Sequence, residues 1–233
     1  MNTLILTLFG DKVGWIPQLI ENFNKVAQHS LIIFSDKGYK GKGNVRVVDM
    51  TIDEYCDLVE EKLGRRPQNT SDPKFWDMRA ANGIIFEDYL KGSDYWGFTD
   101  HDCVYGNLSK FVNLDGYDVW TNDPYPTICG HLTLWKNTEK VNNLFREYPL
   151  WEDMIFGNDV HVWTRPLSGN LSPMSWTTSR LYDEGKLKIN YDFDCQSNDK
   201  QYHELTWDDG LFSDGREVAI HHFRNTKQWP LQQ

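Results

Sequence analysis

The sequence predicts an α/β fold: a mixed central sheet flanked by helices, with an antiparallel part toward the C-terminus. Three observations carry this. Residues 4–9 and 30–36 are short, nearly unbroken apolar runs, the pattern of strands covered on both faces, and residues 15–27 between them place Ile16, Leu19, Ile20, Phe23 and Val26 at helical spacing. Strand, helix, strand in so short a span is the βαβ unit of a parallel sheet. An aromatic stretch at 95–99 reads as a further buried strand and runs directly into Asp100-His101-Asp102. Strand-like pieces at 202–207 and 218–223, around a turn at 208–210, supply the antiparallel part.

The remaining elements follow in order. Residues 44–50 read as a third strand. Thr51 and Glu54 have the spacing of a capping box, opening a helix whose Ile52, Tyr55, Cys56, Val59 and Leu63 share one face. After a basic, polar loop at 64–70, Ser71-Asp72-Pro73 starts a second helix, since proline is favoured in a first turn. This helix is expected to run unbroken over 74–90 with Phe75, Met78, Ala81, Ile85 and Tyr89 inward. Gly106 turns the chain after the acidic pair. Strands are expected at 117–123, 130–137 and 186–195, and a helix at 138–148 burying Val141, Leu144 and Phe145. The stretch 150–180 has weak periodicity and reads as a long irregular loop, the usual character of a lid over a binding site.

The totals bound the function. A chain of 233 residues with 14% aromatics, ten of them Trp, can fill one sizeable core, so a single domain over 1–233 is expected. With 34 acids against 24 bases and a net charge of −10, no basic tract is present to track a phosphate backbone, which argues against nucleic acid as partner. An acidic protein that handles an anionic small molecule needs a local cation or aimed Arg and Lys side chains. Cys56, Cys103, Cys129 and Cys195 are widely spaced, so neither a zinc knuckle nor a disulfide framework is suggested, and reduced, buried thiols are expected. The apolar start ends at Gly10-Asp11 without a basic flank or cleavage site, and no segment approaches the roughly 18 apolar residues of a membrane span. The expected setting is soluble and cytoplasmic.

The chemistry concentrates at Asp100 and Asp102. On an extended backbone residues two apart point to one side, so both carboxylates could face a single hard cation. The strand ends Thr7, Phe9 and Asp36 would lie on the same carboxyl edge, where open α/β sheets bind ligands.

With the C-terminal His221-His222-Phe223-Arg224-Asn225-Thr226-Lys227-Gln228-Trp229, this arrangement resembles the GT-A glycosyltransferases, whose paired aspartates (the DxD motif) hold a divalent metal on the diphosphate of a nucleotide-sugar. Three blocks, at 74–80, 96–108 and 130–138, resemble more closely a little-characterised DxD-containing glycosyltransferase family of bacteria and viruses. The resemblance covers residues 1–145 and 202–229. It implies a Rossmann-like, GT-A-like domain with a nucleotide-sugar-binding half at 1–110, and an acceptor half with a metal-binding tail at 111–233. It also implies Mn²⁺ or Mg²⁺ held by Asp100, Asp102 and His222, and a phosphate contact from Lys227. Arg79, at the end of a predicted helix face beside the strand at 95–99, could make the bidentate phosphate contact that lysine cannot. Thr7, Phe9, Asp36 and Asp100 complete the donor list.

The implied activity moves a sugar from a nucleoside-diphosphate donor, UDP-sugars favoured, to a hydroxyl acceptor such as a glycan. Inversion would require a carboxylate base, for which Asp159 is the candidate with Asp153 and Glu152 as rivals. His131 could line the acceptor site, and Trp151, Trp163 and Trp176 could stack on sugars or fill a core. A metal-dependent phosphoesterase or nucleotidyltransferase would also use paired aspartates, and a non-catalytic nucleotide-sugar or carbohydrate-binding module would retain them without turnover.

Overall fold

A computed structural model describes residues 1–26, 28–159, 171–192, 196–198, 207–208, 211–212, 215 and 217–223. Twelve strands are formed among them: β1 (Asn2–Thr7), β2 (Ser30–Ser35), β3 (Val45–Asp49), β4 (Tyr95–Thr99), β5 (Cys103–Tyr105), β6 (Val119–Thr121), β7 (Leu132–Lys136), β8 (Ile189–Tyr191), β9 (Gln196–Asn198), β10 (Trp207–Asp208), β11 (Leu211–Phe212) and β12 (Ile220–His222). Seven make the central sheet, in the order β3-β2-β1-β4-β7-β6-β8. Strands β3, β2, β1 and β4 are mutually parallel, whereas β7 runs antiparallel to both of its neighbours, β4 and β6. The sheet is therefore mixed, as expected. The short strands β5, β12 and β9 form a second sheet, and β10 with β11 a hairpin.

Apolar alternation along β1 shows why the first strand has no polar face. Leu4, Leu6 and Leu8 point into one core with Ile16, Leu19, Ile20 and Phe23 of the helix Ile16–Val26, while Ile5 and Phe9 point into the other with Tyr55, Phe75 and Phe86. Helices on both sides leave neither face of β1 to water. The capping box at Thr51 and Glu54 forms as expected, and Gly64 ends that helix in the left-handed conformation at φ 82°.

The single helix expected over 74–90 is instead four short pieces: Asp72–Met78, Arg79–Ala81, Asn82–Ile85 and Glu87–Tyr89. Gly83 explains part of this. A Cβ there would lie 2.6 Å from the Trp96 ring and 2.7 Å from Asn142 Oδ1, so the segment is pressed against β4 at a point where only glycine fits. The inward positions Phe75, Met78, Ala81 and Ile85 are nevertheless buried, because each short piece keeps the apolar stripe on the sheet side.

The stretch expected to be an irregular lid also differs. Its described parts are largely helical, Trp151–Phe156 and Pro173–Asp183. The second starts as a helix should, with the Ser172 hydroxyl accepting from Ser175 N and proline in the first turn. Of the strand expected at 186–195, the described residues form β8, with 193–195 outside them, and most of that expected at 202–207 lies outside the described residues.

Candidate functional site

The carboxyl ends of β1, β2 and β4 share one edge of the sheet, since all three are parallel, with Thr7 opposite Phe34 and Ile5 opposite Phe98. Beyond β4 the backbone does not continue extended. His101 and Asp102 form a turn, and β5 starts at Cys103. The extended backbone expected through the acidic pair is therefore not formed: Asp100 precedes a turn and Asp102 lies within it.

Asp100 points to Arg79. The guanidinium Nη1 lies 2.6 Å from Asp100 Oδ1 and donates to the Gly130 carbonyl at 3.0 Å. Its plane packs near the rings of Trp76 and Phe98, at 5.7 and 5.6 Å. Arg79 is only 6% exposed, so the break in the helix after Met78 drives a charged side chain into the sheet edge, where a carboxylate and a carbonyl receive it. It ties the end of β4 to the start of β7.

Asp102 meets the described end of the chain. His222 Nε2 and Asp102 Oδ1 are 3.2 Å apart, with side chains 12% and 7% exposed. The cause is strand pairing across more than a hundred residues. β12 runs antiparallel to β5 with His222 opposite Cys103, and Phe223 N donates to Asp102 O at 3.0 Å. The turn itself is pinned by Trp15, whose Nε1 donates to His101 O at 2.8 Å and whose ring packs on His101 and Phe223. Asn22 then holds β5 from its open side. Its Oδ1 accepts from Tyr105 N at 2.8 Å and its Nδ2 donates to Tyr105 O at 3.0 Å, the two bonds a neighbouring strand would make.

A second imidazole abuts the first. The His131 and His222 rings are 4.6 Å apart, and Cys129 Sγ lies 3.2 Å from His131 Nδ1. His131 is thus a neighbour of the carboxylate–imidazole pair. Cys103 is wholly buried, and burial, reinforced by Asp102 and Asp100, pushes its thiol well above the ordinary value. Cys129 is raised in the same sense by burial, with Asp123 adding.

The other expected residues divide. Thr7 is buried at the edge, and Asp36 is exposed there beside Lys37, 2.9 Å away. The Phe9 side chain is not at a binding surface. It is 2% exposed and packs on Tyr55 and Phe75, both 5.2 Å away, because the second face of β1 needs an apolar residue there. Asp159 is exposed, and its main chain is anchored by Lys74, whose Nζ donates to Asp159 O at 2.9 Å and to Met154 O. Lys74 is completely buried 3.6 Å from Asp77, and burial lowers its pKa. The rivals Glu152 and Asp153 are exposed on the helix Trp151–Phe156. Trp151 packs edge-on against Phe145 and Phe156, Trp176 is 40% exposed beside Arg180, and Trp163 and Lys227 lie outside the described residues.

Neighbouring donor atoms on an octahedral ion with bonds of about 2.1 Å stand about 3.0 Å apart. The Asp102 carboxylate and His222 imidazole, 3.2 Å apart, fit that spacing, whereas Asp100 is engaged by Arg79.

Fold and site together define an α/β protein with a carboxylate–imidazole pair and an arginine-held carboxylate at the carboxyl edge of a mixed sheet. The chain belongs to the family of unknown function DUF6625, whose model matches residues 4–170. No curated protein matches it significantly. Among solved structures, that of a glycosyltransferase involved in the glycosylation of the major capsid of PBCV-1 is similar at 10% identity and a TM-score of 0.49, covering 97% of this chain and 95% of that chain.

Proposed function

We propose that the protein is a metal-dependent glycosyltransferase that moves a sugar from a nucleoside-diphosphate-sugar, UDP-sugars favoured, to a hydroxyl acceptor, a glycan being the fitting class. The observation that carries this reading is the meeting of Asp102 and His222 at the end of β4, brought about by a C-terminal strand whose pairing serves that junction. In this reading Asp102 and His222 hold Mn²⁺ or Mg²⁺. The bound ion supplies Lewis-acid neutralisation of the charge that grows on a departing nucleoside diphosphate. Mixed carboxylate and imidazole ligation suits Mn²⁺ better than Ca²⁺.

Arg79 fixes Asp100 through its guanidinium, so that Asp100 faces the donor site from a set position. Thr7 and Asp36, at the ends of β1 and β2, would meet the nucleoside along the same edge. Asp159 is the candidate base that takes the acceptor proton, its main chain held in place by Lys74.

The test is hydrolysis of UDP-, GDP- and dTDP-sugars by the purified protein with Mn²⁺, beside the Asp102→Asn variant. A metal-dependent activity that falls by about a hundredfold or more in the variant is expected, in line with the loss of a principal electrostatic group. If no nucleotide-sugar is hydrolysed, or raises the melting temperature in the presence of metal, the reading fails.

A further inference from the structure

The register of the small sheet places a third donor beside the carboxylate–imidazole pair. Phe223 N bonds to Asp102 O, and Gly106 N bonds to Ala219 O. In an antiparallel ladder hydrogen-bonded and non-hydrogen-bonded pairs alternate, so the intervening Cys103–His222 pair is of the non-bonded kind, in which side chains approach most closely. Cys103 and His222 thus project from the same face of the sheet. Because Asp102 lies in the turn and not on the strand, its carboxylate curls back to the same place. One ligand atom from each of Asp102, Cys103 and His222 lies within 4.8 Å of the other two.

We propose that Asp102, Cys103 and His222 form a three-donor site for a thiophilic divalent ion, Zn²⁺ above all, and that Zn²⁺ there displaces the harder ion used in sugar transfer. A carboxylate, a thiolate and an imidazole, with one position left open, is a donor set that zinc accepts. Donors on a tetrahedral zinc stand about 3.4 Å apart for bonds of 2.0–2.3 Å, a contraction that side-chain rotation can supply. Mn²⁺ and Mg²⁺ prefer oxygen and nitrogen and gain little from sulfur, so for them Cys103 stays a neutral thiol. With zinc the metal–sulfur bond forms as the S–H bond breaks, and the proton leaves to solvent. The His131 ring, held by Cys129, packs on His222 and limits its motion, so the imidazole is kept in place for either ion.

The site shares Asp102 and His222 with the transferase reading, but its test needs no sugar donor. The full chain, freed of metal by chelation, is titrated with Co²⁺ and followed in the near ultraviolet. A thiolate-to-cobalt charge-transfer band is expected in the wild type, retained in Cys129→Ser and lost in Cys103→Ser. Zn²⁺ affinity should fall by about a hundredfold in Cys103→Ser, while Mn²⁺ binding followed by electron paramagnetic resonance is unchanged. Wild-type protein that binds Co²⁺ without the band, or a Cys103→Ser variant with wild-type zinc affinity, overturns the proposal. If Cys103→Ser does not fold, a band retained in each of Cys56→Ser, Cys129→Ser and Cys195→Ser assigns the thiolate to Cys103, and a band lost in any of them overturns the proposal. Sulfur ligation without hydrolysis of any nucleotide-sugar would keep this site and remove the transferase reading; hydrolysis without sulfur ligation would do the reverse.

Discussion

Removing the Arg79 guanidinium separates two consequences that the structure ties together. In Arg79→Ala the Asp100 carboxylate loses a partner at 2.6 Å, the Gly130 carbonyl loses its donor, and the space beside Trp76 and Phe98 empties. Breaking a fully buried pair costs about 3–5 kcal/mol. Asp100 is 23% exposed at its side chain and can be partly rehydrated, which places the expected loss near the lower end, about 3 kcal/mol. In a protein of this length that lowers Tm by roughly 6–12 °C. Asp100→Ala should cost a similar amount, because Arg79 keeps Gly130 and the two rings but is left as a buried cation without this carboxylate. The double variant should then fall short of additivity by about 1.5–3 kcal/mol, the worth of a hydrogen bond to a charged group. Urea denaturation of the wild type, the two single variants and the double variant measures this directly. A coupling energy under about 0.5 kcal/mol, the scatter of independent sites, would refute the claim that Arg79 sets the position of Asp100.

Three further outcomes are expected. Gly97→Ala, in the middle of β4, drives a Cβ against the Thr133 carbonyl and within 2.9 Å of Leu4 and Leu134 methyl groups, so thermal melting should show a loss of about 1–3 kcal/mol. His29 is 6% exposed, and burial, with the N-terminal ammonium adding, pushes its pKa down to about 4; the unfolded chain takes up the proton first, so its contribution is intact above pH 6.5 and is lost as pH falls toward 4. By pH 5 the loss is about 2 kcal/mol, and urea midpoints of His29→Gln should fall less steeply with pH than those of the wild type. Lys74→Met keeps the bulk of a buried side chain but leaves the Asp77 carboxylate without its cation and the Met154 and Asp159 carbonyls without their donor, for a loss of about 3–5 kcal/mol by denaturant titration.

Much of the scaffold was legible because it depends on local pattern. The βαβ start, the burial of β1 and β2 on both faces and the capping box at Thr51 each follow from residues close in sequence. The failures have physical causes of the opposite kind. The helix over 74–90 breaks where Gly83 meets Trp96 and Asn142, both distant in the chain, and the helix Pro173–Asp183 was hidden by weak periodicity although Ser172-Pro173 is a start signal. Trp15 looked like the first residue of an amphipathic helix, and nothing in its neighbourhood indicates that its indole holds the turn at His101.

By itself, the sequence determined the mixed α/β architecture, because residue type and periodicity are local properties, and the resemblance of its acidic pair and tail to the GT-A pattern marked Asp100, Asp102 and His222 as the residues to watch. Only the tertiary structure decided how they are shared out: Asp100 to Arg79, Asp102 to His222, with Cys103 opposite the histidine. That division rests on a turn where an extended strand was expected and on the register of β5 against β12. Register joins residues more than a hundred positions apart, and a shift of one would turn His222 to the other face.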